Sequence, residues 1–115
     1  MSKGKKEITE IIERFELREE MLGVVISGLY ANCEYITDDS HHYYTIRINF
    51  DIASLSGNKL GRSVSINASA YNSAGQLLGA ERTQLFDQNF MGFSSESICF
   101  YSLDQEPKKI RLYPS

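Results

Sequence analysis

Two stretches of strict alternation constrain this chain more than any other feature in it. In Thr45-Ile46-Arg47-Ile48-Asn49-Phe50-Asp51-Ile52 every second residue is apolar and the rest are polar. Ser63-Val64-Ser65-Ile66-Asn67-Ala68-Ser69-Ala70 repeats the pattern. A period of two sends the apolar set to one face of a pleated strand and the polar set to the other, whereas a helix would smear both around its circumference. Strands with one wet face belong in an antiparallel sheet. Burying Ile46, Ile48, Phe50 and Ile52 contributes on the order of 2 kcal/mol each before chain entropy is counted.

Four more strands are expected over residues 22–31, 76–86, 96–101 and 108–113, the last alternating Ile110 and Leu112 against Lys109, Arg111 and Tyr113. Turn clusters separate them: "TDDSHH", "SGNKLG", "NSAG" and "DQNFMGFSS". Asn72-Ser73-Ala74-Gly75 reads as a hairpin connector, with Asn opening a type I turn and Gly supplying the positive φ of the closing bulge. A phosphate-cradling loop would need a Lys-Ser/Thr pair and a following helix, and "QLLGAERTQL" offers neither. At 115 residues the chain suits one domain. The expectation is an all-β, antiparallel, immunoglobulin-like sandwich of about seven strands filling residues 1–115.

The N-terminus pulls two ways. Ile8, Ile11, Ile12 and Phe15 fall at helical spacing, yet Phe15-Glu16-Leu17-Arg18 alternates. Residues 1–14 are expected to form a helical or irregular lead-in, with a short helix near 5–13, and a strand is expected from about Phe15.

The segment "SVSINASAYNSAGQLLGAERTQL" resembles a recurrent bacterial β-sandwich pattern found in FxLYD-type and related immunoglobulin-like domains. Tyr71, Asn72, Gly75, Leu77 and Leu78 stand where that pattern has its aromatic residue, turn and return strand. "FELREEMLGVVISGLYANCEY" is similar to the opening strand pair of such domains. The resemblance implies a sandwich used for interaction or as a spacer and carries over no catalytic residue. A true antibody-type domain is disfavoured, because the chain has no Trp and Ser97 stands two residues before Cys99.

Cys33 and Cys99 match no zinc or Cys-x-x-Cys spacing and read as small apolar core residues, though a sandwich would also let them approach one another. "ITDDSHHYY" holds the ligand-type residues Asp38, Asp39, His41 and His42. Carboxylates with imidazoles suit several transition ions, but neighbouring histidines on a strand point to opposite faces. A solvated turn is the favoured reading, and no metal or other cofactor is expected. No Gly-x-Ser-x-Gly elbow is present, so nothing points to nucleophilic catalysis. Asn67-Ala68-Ser69 matches a glycosylation acceptor by chance, inside an alternating strand. Phe90, Met91 and Phe93 fall in an expected loop, where they either form an apolar contact patch or fold back over the end of the sandwich.

With 12 basic against 15 acidic side chains the net charge is −3, which gives no general attraction for nucleic acid. "MLGVVISGLYA" falls far short of the roughly 20 residues of a membrane helix. Glu7, Glu10 and Glu13 interrupt any signal-peptide core in "MSKGKKEITEIIERF". A native, complete chain would be cytoplasmic; one trimmed of a leader would be exported. The reading is a non-catalytic domain that binds another protein or a neighbouring domain, with no nucleic-acid or membrane partner. The alternative is a metal-dependent or carbohydrate-binding domain using the 38–44 loop.

Overall fold

The alternating stretches become strands with one buried face. In the computed structural model, which describes residues 2–57 and 59–115, the strand His42–Ser54 buries Ile46, Ile48, Phe50 and Ile52 and leaves Arg47 in water. The strand Val64–Tyr71 buries Val64, Ile66, Ala68 and Ala70. In chain order the strands are β1 (Ser2–Glu7), β2 (Ile12–Arg14), β3 (Val24–Thr37), β4 (His42–Ser54), β5 (Val64–Tyr71), β6 (Leu77–Leu85), β7 (Phe93–Leu103) and β8 (Lys109–Pro114), with one short helix α1 (Glu16–Met21). They form two four-stranded sheets, ordered β1-β3-β4-β7 and β2-β8-β5-β6. All pairings are antiparallel except β2 with β8. Ile48, Ile52 and Phe100 from the first sheet share one core with Ile66, Ile110 and Leu112 from the second. The result is a β-sandwich.

The N-terminal expectation is corrected. Residues 2–7 are not helical: β1 pairs along β3 from Ser2 opposite Thr37 to Glu7 opposite Asn32. Its sequence Ser-Lys-Gly-Lys-Lys-Glu has no apolar period because β1 is a sheet edge whose side chains mostly face water, and lysines on an edge oppose pairing with other chains. The helical spacing of Ile8, Ile11 and Ile12 serves a crossing between sheets. Ile8 is buried and its N–H donates to the Ala31 carbonyl at 2.8 Å, while the Ala31 N–H donates to Thr9 Oγ1 at 3.0 Å. A 3-10 turn over Thr9–Ile11 then carries the chain into the second sheet, with Ile11 and Ile12 packed against the core.

The strand expected from Phe15 is instead α1. Alternation in Phe15-Glu16-Leu17-Arg18 is overridden by Glu19, which is 2 % exposed. Its carboxylate accepts from Arg14 Nη2 at 2.7 Å and Nε at 3.2 Å, and from the Ile26 N–H at 3.0 Å. These bonds pin the helix to β2 and β3. Leu17, apolar in sequence, is left in solvent.

The other junctions follow their turn chemistry. Asn72 Oδ1 accepts from the N–H groups of Ala74 and Gln76, and Gly75 has φ +79°, so residues 72–75 are a hairpin connector. A bulge interrupts β3 between Ser27 and Tyr30, where Gly28 takes φ +62° against the Asp51 carboxylate. Cys33 is buried opposite Ile46, but Cys99 is half-buried opposite Arg47. Ile46 and Arg47 are adjacent on β4, so the two sulfurs lie on opposite faces of one sheet, and both cysteines are free. The expectation of two core cysteines therefore holds for Cys33 alone. Burial pushes the Cys33 thiol up from its ordinary pKa. Among the described residues no helix is long and apolar enough to cross a membrane.

Candidate functional site

The sequence leaves Phe90, Met91 and Phe93 between two fates, and the fold divides them. After β6 the chain turns tightly, with the N–H groups of Asn89 and Phe90 both donating to the Phe86 carbonyl at 3.0 Å. The Asp87 side chain accepts from Ser63 Oγ at 3.2 Å, which ties this turn to the start of β5. Phe90 is thereby drawn under the end of the sandwich, 4 % exposed. Met91 (71 % exposed) and Phe93 (60 % exposed) point the other way.

Neighbours that sequence spacing does not reveal join them. The Ser54 N–H donates to the Gly92 carbonyl and the Leu55 N–H to the Gly23 carbonyl, both at 2.9 Å. These two bonds hold the start of β3, the end of β4 and the start of β7 side by side. Met21 (84 % exposed), Leu55 (55 % exposed) and the solvent-facing Val25 and Phe93, both in register with Ala53, are gathered at that end. Phe86 is exposed nearby, and a shallow cleft of about 270 Å³ runs between it, Phe90, Met91 and Phe93. The sequence signal for Leu55 is the apolar residue just past the alternation of β4. Met21 carries none, because its place depends on α1.

This end is exposed apolar surface. Single exposed hydrophobes are ordinary, but here Phe86, Met91 and Phe93 share one cleft and Val25, Leu55 and Met21 are exposed at the same end. Each such side chain contributes about 1.5–3 kcal/mol when fully buried by a partner.

The other candidate, the β3–β4 turn, uses its polar groups on itself. Asp38 Oδ1 accepts from the N–H groups of Ser40 (2.9 Å) and His41 (2.7 Å), and those two bonds hold the carboxyl below its ordinary pKa. His41 stacks on Tyr43 with rings 5.8 Å apart and 9° from parallel. His42 lines a different depression together with Tyr44, on the opposite side of the strand. The fold thus does not bring His41 and His42 together. Among the described residues no group of three or more His, Cys, Asp or Glu is placed to hold a metal ion.

No family model matches the chain, and no curated protein matches it. Among solved structures, the crystal structure of a DUF1425 family member from Shewanella sp. pv-4 is similar, at 14 % identity over 81 % of this chain and 94 % of that one, with a TM-score of 0.40. That likeness is too loose to carry any residue's role across. The FxLYD-type resemblance of residues 63–85 finds no matching family, and a β-sandwich is what stands.

Proposed function

We propose that this chain is a non-catalytic interaction domain, a β-sandwich that binds another protein or a neighbouring domain through the apolar end carrying Met91 and Phe93. The observation that supports this is the division of one short segment: Phe90 is buried in the core while Met91 and Phe93, two backbone steps apart, stand in water at the end where Leu55 is also exposed. The fold has an anchor available at this position and still leaves its neighbours uncovered. Apolar side chains held outward by buried supports are what a partner's apolar surface requires.

The test is affinity capture from the native cell extract with the wild-type chain and with a Met91→Ser/Phe93→Ser double variant, each checked for native circular dichroism. The expected result is a stoichiometric partner held by the wild type and lost by the double variant. A partner that the double variant retains, or recovery of the bait alone, would contradict the proposal.

A further inference from the structure

The outer face of the second sheet carries a feature unrelated to the apolar end. On β8 the residues Lys109, Arg111 and Tyr113 share the face that does not enter the core, and Tyr71 at the end of β5 lies beside them in register with Lys109. The helix α1 lies over this face. Phe15 meets Tyr113 edge-on, with centroids 5.8 Å apart and planes at 83°. The Arg18 guanidinium carbon sits 5.4 Å from the Tyr113 ring centroid, and that of Arg111 sits 5.2 Å from the Tyr71 centroid. Together these five side chains line a cleft of about 280 Å³.

Two guanidiniums in one small cleft repel each other, and cation–π contacts with the Tyr113 and Tyr71 rings offset that repulsion. Their neutralisation is incomplete. Glu13 is engaged by Lys109 at 2.7 Å and lies 3.9 Å from Arg111 Nε. Arg111 Nε is itself buried without a hydrogen-bond partner. Arg14 is committed to Glu19, whereas Arg18 forms no ion pair among the described residues. A guanidinium carries its N–H donors in a planar fork that matches a planar carboxylate through two parallel bonds. At about 280 Å³ the cleft lies just below the range of ligand pockets, about 300–1,000 Å³, and suits only a small group.

We propose that this cleft binds a carboxylate carried on a small aromatic or apolar body, with the carboxylate on Arg18 and Arg111 and the body against Phe15, Tyr71 and Tyr113. The carboxylate belongs either to a free organic acid or to the C-terminal residue of a peptide.

The experiment is titration of the isotope-labelled full chain at low salt, followed by amide and arginine side-chain NMR shifts. The probes are benzoate, its neutral isostere benzamide, and N-acetylphenylalanine beside its C-terminal amide. Saturable shifts centred on Arg18, Tyr71, Arg111 and Tyr113 are expected with the acids, and binding about tenfold or more weaker with the matched amides. Tighter benzoate binding assigns a free acid, and tighter N-acetylphenylalanine binding assigns a chain terminus. Arg18→Gln, on the exposed side of α1, and Arg111→Gln should each weaken the acids by about tenfold while leaving the amides alone. Equal binding of acids and amides, wild-type affinity in Arg18→Gln, or saturable shifts confined to another surface would overturn the proposal.

Discussion

In β4 four apolar side chains at alternate positions are removed from water, whereas in α1 the one buried side chain is a carboxylate. The strand is specified by a repeated, non-directional preference, so each residue adds to the same face and no single one decides whether the strand forms. The helix is six residues long with no side-chain cap at its start, and an isolated helix of that length does not hold in water. It exists where it does because one acid finds a guanidinium and a backbone N–H together. Order from periodicity is additive; order from a buried polar contact depends on a single residue.

That contrast has measurable consequences. Ile48→Ala should be the most damaging change, costing about 4 kcal/mol in urea unfolding, because it leaves a cavity between the sheets. Glu19→Ala should cost about 3 kcal/mol, since it orphans the Ile26 N–H and leaves Arg14 without its partner. Its effect should be uneven: α1 should fray in the variant, so residues 16–21 should exchange far faster than β4. If residues 16–21 kept the same protection as β4, α1 and the core would be one unit and the contrast would fail.

A gentler probe is Glu106, which receives ion pairs from Lys6 on β1 and from Lys108, the latter at 2.6 Å. Hydrogen bonds from Lys108 and Lys6 hold its carboxyl below the ordinary value of 4.5. A depressed folded-state value means that the stabilisation is full above the unfolded-state pKa and disappears as pH falls through the folded one. Wild type should therefore exceed Glu106→Gln by up to about 1 kcal/mol at pH 7, and this gap should close below about pH 4. A gap that widened on acidification would contradict the assignment. Smallest of all, Met91→Ser should change folding stability by less than about 0.5 kcal/mol, because the side chain is in water. A larger loss would mean that Met91 supports the core.

What was legible in the sequence follows the same division. β4, β5 and β8 announce themselves, because their alternation is the physical cause of their burial. β3 is interrupted, since the bulge at Gly28 shifts the phase of its pattern. β1 is silent: an edge strand of lysines exposes both faces and has no period to show. α1 is misread because the alternation of Phe15 to Arg18 is visible while the bonds of Glu19 to Arg14 and Ile26 are tertiary. The same limit applies at the surfaces. The loop of Phe90, Met91 and Phe93 stands out by composition, but which residue turns inward depends on the Phe86 carbonyl and the Ser63–Asp87 contact. The arginine cleft draws Phe15, Arg18, Tyr71, Arg111 and Tyr113 from three separate segments, so no local pattern marks it.

The most direct test of the apolar end as a contact surface is hydroxyl-radical footprinting of the free chain and of the captured complex, read residue by residue. Met91 and Phe93 should oxidise readily in the free chain, with Phe90 spared, and both should become protected in the complex while Tyr101, exposed near the other end of β7, stays reactive. Unchanged oxidation of Met91 and Phe93 in a stoichiometric complex would place the contact elsewhere and contradict the account.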